Sequence, residues 1–155
     1  MEEVVTQEKT KIYVAGPFFK PGERERLEKI RKLFAEDEFF EEYELFFPMD
    51  HFIPNGENLS NWDWANAVFE MDTKALENAD IVVAIYDKHY SDSGTAWELG
   101  YAHGLGIPVV LLCTDIKADN SIMPMCAATK VYDFESFVQG EYWDFDILFN
   151  TNTLK

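Results

Sequence analysis

The sequence predicts an α/β protein: a single-domain, doubly wound, flavodoxin-like sheet of five parallel strands with helices on both faces. Three observations carry this. Short β-branched runs alternate with segments of helical period along the chain, the pattern of successive βα units. Two runs, "DIVVAIYD" (80–87) and "IPVVLLC" (107–113), are apolar almost without a break, as strands covered on both faces are. With 155 residues, 47% of them hydrophobic, the chain is one domain's worth and long enough to bury a core. Right-handed crossovers between parallel strands then select the doubly wound order.

Residues 1–10 form a polar leader, and 11–155 the domain. "KIYVAG" (11–16) is the first strand, closed by a Gly-Pro turn. In "PGERERLEKIRKLFAED" (21–37), Leu27, Ile30, Leu33 and Phe34 recur at helical spacing. "YELFFP" (43–48) is a second strand stopped by Pro48, and 49–61 reads as a loop from its Pro, Gly and Asn content. Ser60-Asn61-Trp62-Asp63 resembles a capping box that opens a helix running to about Ala79. The third strand is 80–87, followed by the loop "KHYSDSG" and a helix through about Gly104. The fourth strand is 107–113; "KVYDF" (130–134) is a fifth, with a short helix from about Glu135. No internal repeat, linker or low-complexity tract interrupts this order.

Composition narrows the function. The formal net charge of −16 disfavours nucleic acid, anionic membranes and highly phosphorylated ligands, and leaves a neutral small molecule as the easier partner. "MEEVVTQEKTK" has no apolar core for a signal peptide, and no apolar run reaches the ~20 residues of a membrane span. A cytoplasmic location is expected. Two cysteines, Cys113 in an apolar run and Cys126, give neither a disulfide framework nor a CxxC metal site.

In this fold class ligands bind at the carboxyl ends of the strands, so the loops after strands one, three and four are the ones to inspect. None carries GxGxxG or GxxxxGK[ST], so neither a dinucleotide nor a triphosphate is announced. What they hold is acids and aromatics. Asp72 falls on the same arc of its helix as Trp64, Val68, Leu76 and Ala79, where a carboxylate costs free energy unless it is bonded or lines a cavity. Glu98 has two readings. If its helix starts at Thr95, Thr95-Ala96-Trp97-Glu98 is a capping box, and the motif by itself favours that. If the helix starts nearer Ser93, Glu98 sits in the second turn, facing the first loop. Asp92 reads alone as a loop acid or N-cap, and Tyr13 as a core residue. Together Asp72, Asp92, Glu98 and Tyr13 come from elements the fold brings to one edge. Carboxylates sharing a cleft acquire separated proton affinities, which suits glycosidic cleavage by one ionised nucleophile and one acid. His51, His89 and His103 show no metal-ligand spacing and read as structural or surface residues. Trp62, Trp64 and Trp97 read as core before they read as a stacking platform, whereas Phe18 and Phe19 are placed to sandwich a flat ring.

The pieces "KIYVAGPFF", "WANAVFEMDTKALENADIVVAIYD" and above all "DSGTAWELGYAHGLGIPVVLL" resemble the nucleoside 2-deoxyribosyltransferases over residues 11 to about 135. The resemblance implies an enzyme that exchanges the base of a 2′-deoxynucleoside with retained configuration, without metal or cofactor. It implies Glu98 as the nucleophile at C1′, Asp92 at the base as proton donor, Asp72 at the sugar and Tyr13 bonded to the nucleophile. Gly16, Phe18, Phe19, Trp64, Gly94 and Met125 are the expected substrate contacts. The implied partners are deoxynucleosides and free nucleobases, within a dimer-based homo-oligomer, a hexamer among the assemblies, whose neighbouring subunit completes each site. Two departures stand out. Met123 occupies the place of the family's asparagine from the neighbouring subunit, with Asn120 as a substitute, and the chain ends in "EYWDFDILFNTNTLK" where several members bring an aromatic into the site. The alternatives are a 2′-deoxynucleoside 5′-monophosphate N-glycosidase and a non-catalytic nucleoside-binding module. The first needs a phosphate pocket, and the three loops offer only Lys20, Lys88 and Lys117 as basic residues.

Overall fold

The computed structural model describes residues 8–87, 92–118, 120–142 and 144–145. Five strands, β1 (Thr10–Ala15), β2 (Tyr43–Phe46), β3 (Ile81–Tyr86), β4 (Val109–Cys113) and β5 (Lys130–Asp133), form one sheet in the order β2-β1-β3-β4-β5. Every pairing is parallel, so the predicted doubly wound order is the one observed. The helices are α1 (Pro21–Glu36), α2 (Asn61–Glu77), α3 (Ser93–Gly104), α4 (Ile122–Ala127) and α5 (Phe134–Val138). Helix α4 was not anticipated, because Pro124 within so short a run reads as a break. It lies in the first turn, where the missing N–H has no helical partner to lose.

Alternation along the strands divides the core in two. Ile12, Val14, Val83, Ile85, Val110 and Leu112 meet Leu27, Ile30 and Phe34 of α1 and Phe137 of α5 on one face. Tyr13, Ala15, Val82, Ala84, Leu111 and Cys113 meet Leu76, Leu99 and Ala102 of α2 and α3 on the other. All six residues of β3 and all five of β4 are buried, as their unbroken apolar runs require. The start of β3 is pinned to β1 by Asp80, whose carboxylate accepts the Lys11 N–H at 2.8 Å.

Ser60 caps α2 by accepting the Asp63 N–H at 3.1 Å. The Asp63 carboxylate takes the Ser60 hydroxyl at 2.7 Å, so the expected cap forms with its return bond on the side chain. The helix corrects the expectation for the tryptophans. Among its residues only Leu76 is buried, while Trp62 is 75% and Trp64 48% exposed; Trp97 on α3 is likewise 48% exposed. The carboxyl half of α2 lies on the sheet and the amino half runs past it, so the apolar arc has a floor only from about Asp72 onward.

At the far edge, Tyr142 and Phe145 pack among Phe40 and Phe137, with Tyr142 bonded to Asp37. Tyr132 and Lys130 both hold Asp144. This fixes the last described residues to the α1/α5 face; Trp143 and the tail from 146 onward, like residues 1–7, fall outside the described residues. Among the described residues no helix is long and apolar enough to cross a membrane.

Candidate active site

Parallel strands put all their carboxyl ends at one edge, and the acids gather there. Helix α3 begins at Ser93, not at Thr95. Thr95 is therefore buried inside the first turn (1% exposed), and Glu98 stands in the second turn, where it has no orphan N–H to cap. Asp92 occupies the N-cap position without making a side-chain cap bond. Its carboxylate leans over Gly94, where an added Cβ would come within 2.9 Å of Asp92 Oδ2. Gly100 and Gly104 face open space, with nothing within 4 Å of where a Cβ would stand.

Asp72 and Glu98 line one cavity of about 550 Å³ between α2 and α3, with Val68, Phe69, Gly94 and Trp97. Tyr13 stands in the middle of β1, fully buried, facing the same layer. Tyr13 Oη, Glu98 Oε2 and Asp72 Oδ1 are buried without a hydrogen-bond partner of good geometry. Such groups are rare, because each costs roughly 1–3 kcal/mol of uncompensated desolvation.

The electrostatics follow from this burial. Desolvation lifts the Glu98 carboxyl from the usual 4.5 to about 7; the Tyr13 phenol opposes the rise, and the charges of Asp72 and Asp92 add to it. The phenol acts on Glu98 as a donor even though no well-formed hydrogen bond closes between them in this state. Tyr13 itself is pushed far above the usual tyrosine range by burial and then by Glu98, so it keeps its proton. Burial also raises Asp72, and the charge of His51 pulls it back. A carboxyl near neutrality, a permanent phenol donor and two further acids can divide the tasks of nucleophile, orienting donor and proton source.

The other expected contacts are spread more widely. Gly16 turns the chain out of β1, with Ile85 and Leu27 each 3.4 Å from where a Cβ would stand. Phe18 and Phe19 stack on each other at 5.2 Å, and Phe19, 68% exposed, offers one face. Glu23 holds their loop by accepting the Phe19 and Lys20 N–H groups, both at 2.9 Å. Trp64 lies over Gly56 of the β2–α2 loop and does not line the Asp72–Glu98 cavity. Met125 packs against Cys113 of its own chain at 3.8 Å, also away from that cavity. Asn120 is tied through its amide to the Asp115 and Ala118 carbonyls. Lys88 and His89 fall outside the described residues. His51 reads from the sequence as a structural or surface residue, because the histidines show no metal-ligand spacing. The pairing of β2 with β1 delivers it beside Tyr13 and Phe46. Among the described residues no group of three or more His, Cys, Asp or Glu could hold a metal ion.

Comparison with known proteins agrees with the fold and gives the family. Comparison with curated proteins returns no match. Among solved structures, the chain is similar to a 2-deoxyribosyltransferase from the psychrotolerant bacterium Bacillus psychrosaccharolyticus. The identity is 30% over 90% of this chain and 96% of that one, with a TM-score of 0.74. It shares the fold of a 2-deoxyribosyltransferase from Leishmania mexicana (23% identity, 85% of this chain and 99% of that one, TM-score 0.56). It also shares the fold of the CMP N-glycosidase of Clostridium botulinum (15% identity, 84% and 96%, TM-score 0.57). The family model for nucleoside 2-deoxyribosyltransferases matches residues 12–137, which hold most of β1, the other four strands and the whole acid cluster: the chain belongs to the nucleoside 2-deoxyribosyltransferase family.

Proposed function

We propose that this protein moves the 2-deoxyribosyl group of a 2′-deoxynucleoside from one nucleobase to another by double displacement at Glu98. The observation that carries the reading is Glu98 itself, desolvated in the second turn of α3, with Oε2 unbonded and a proton affinity near neutrality. In its ionised form Glu98 attacks C1′, the glycosidic C–N bond breaks, and Asp92 delivers a proton to the departing base. A deoxyribosyl ester on Glu98 remains. An incoming base then attacks C1′, displaces the carboxylate and returns its proton to Asp92. Two inversions give net retention. Tyr13 orients the nucleophile as a donor, and Asp72 accepts the sugar hydroxyls.

The exposed apolar surface supports a homo-oligomer with shared sites. Trp62, Phe69 and Trp97 are 75%, 53% and 48% exposed, and Ile122 and Met123 on α4 are 75% and 78% exposed. Large apolar side chains exposed in this number are what a subunit contact covers. On this reading Met123, rather than the inward-packed Met125, is the α4 methionine offered to a second copy.

Incubation of deoxyinosine with adenine tests the function. Deoxyadenosine is the expected product; loss of the base without a new nucleoside would assign the hydrolytic alternative. Intact-mass analysis after incubation with a 2-fluoro-2-deoxynucleoside is expected to give a covalent adduct that maps to Glu98. Binding without turnover or adduct would leave only a nucleoside-binding module.

A further inference from the structure

The cavity that holds Asp72 and Glu98 opens between two helices whose buried side chains point elsewhere. In α2 only Leu76 is buried, and in α3 only Thr95, Leu99 and Ala102. Leu76, Leu99 and Ala102 pack on the sheet. The spacing of the two helices above the sheet is therefore left to side chains outside the core.

Those side chains form a ladder. The Phe69 ring of α2 meets the Trp97 ring of α3 edge-on, with centroids 5.3 Å apart. One turn further along α3, Tyr101 stacks on Trp97 at 5.1 Å and 24°. Its hydroxyl crosses back to α2 and donates to Glu77 Oε1 at 2.5 Å. The helices are thus tied at Phe69–Trp97 and again at Tyr101–Glu77, and the stack on Trp97 joins the two ties. Phe69 and Trp97 are also walls of the cavity, beside Asp72 and Glu98, whereas Tyr101 and Glu77 stand outside it. The outer tie therefore reaches the cavity through the indole. Trp97 is 48% exposed, so its own chain packs only part of it, and a stack fixes the distance between two rings but not their direction across the cleft. The hydroxyl bond to the opposite helix supplies that direction.

We propose that Tyr101 is a positioning residue: tied to Glu77 across the cleft, it holds the Trp97 indole in place as a wall of the Asp72–Glu98 cavity. The consequence for substrate rests on the deoxyribosyl-transfer reading, in which this cavity receives the sugar; the bracing of Trp97 does not. The tie can be cut while the rings stay. Tyr101→Phe keeps the stack and loses the hydroxyl, Glu77→Ala removes the acceptor, and Glu77→Gln keeps one.

The experiment joins ¹⁹F NMR of the protein labelled with fluorotryptophan to steady-state kinetics of base exchange. The Trp97 resonance is assigned by its loss in Trp97→Phe, and Tyr101→Ala gives its position for an unsupported indole. Tyr101→Phe and Glu77→Ala are expected to move the resonance toward that position. Both are also expected to raise KM for the deoxynucleoside roughly fivefold, the worth of one hydrogen bond. In both, kcat should stay within about twofold, since a wall touches substrate and transition state alike. Glu77→Gln is expected to leave both readouts near wild type, and Tyr101→Phe with Glu77→Ala to do no more than either change alone. A Trp97 resonance unmoved in Tyr101→Phe overturns the proposal, and so does a wild-type KM once the resonance has moved. An altered oligomeric state by light scattering with the resonance unmoved also overturns it, and assigns the hydroxyl to a subunit contact. If the wild type exchanges no base, the transfer reading fails while the fluorine spectra still decide the brace.

Discussion

Replacing Glu98 by Gln should abolish base exchange and also change how stability depends on pH. The glutamine keeps the shape and a hydrogen-bonding group opposite Tyr13 but cannot ionise. In the folded wild type the Glu98 carboxyl is lifted from 4.5 to about 7. Between those values the native state holds this proton more tightly than the unfolded chain, so stability falls as pH rises across the window. The ionised form costs roughly 3 kcal/mol once pH exceeds about 7. The stability gap between Glu98→Gln and wild type should therefore grow by roughly 3 kcal/mol in favour of the variant between about pH 4.5 and about pH 8. For a domain of this size that corresponds to roughly 6–12 °C in Tm. Urea unfolding at a fixed protomer concentration, which holds any subunit association constant, reads the difference directly. A gap of the same size at both pH values would refute the argument that Glu98 is destabilised by burial.

The same carboxyl sets the pH dependence of the reaction. Attack needs ionised Glu98, so kcat/KM should fall about tenfold per pH unit below about 7 and level off above it, as stopped-time assays of base exchange would reveal. Gly94→Ala places a Cβ within 2.9 Å of Asp92 Oδ2 and should push that carboxylate aside. The expected result is a fall in kcat of roughly tenfold or more with Tm little changed, whereas full activity would show that Asp92 needs no fixed position. Cys113 is buried and its thiol is raised to about 11, while Cys126 is exposed. Iodoacetamide at neutral pH should label Cys126 in the native protein and Cys113 only after denaturation, as peptide mapping would report.

The sheet was legible because its signal is local. An unbroken apolar run such as "IVVAIY" has few alternatives to a strand covered on both faces, and parallel crossovers leave few orders in which to place it. The acid cluster was legible through the resemblance and only half legible through pattern. The Thr95–Glu98 spacing argued for a cap, and only the helix start at Ser93, a matter of two residues, turns Glu98 into a site residue. Helix boundaries are where sequence signals are weakest. The tryptophans misled because periodicity reports which side of a helix is apolar, not whether the same chain covers it. His51 escaped because stacking on Phe46 is a tertiary contact across the turn after β2, and no spacing rule encodes it.

The acidity of this chain and its site follow one logic. A cavity that gathers Asp72 and Glu98, with Asp92 at the N-cap of the helix beside it, could be steadied by an arginine, and α1 has arginines to spare. Yet Arg31 is committed to Asp50, Arg26 to Asp87 and Arg24 to the Phe18 carbonyl, all outside the cavity that holds Asp72 and Glu98. An arginine beside Glu98 would lower its proton affinity and neutralise it as a nucleophile by a strong, permanent ion pair. Burial with a phenol donor leaves the carboxylate weakly solvated and weakly bonded, hence reactive, at the expense of native stability above neutral pH.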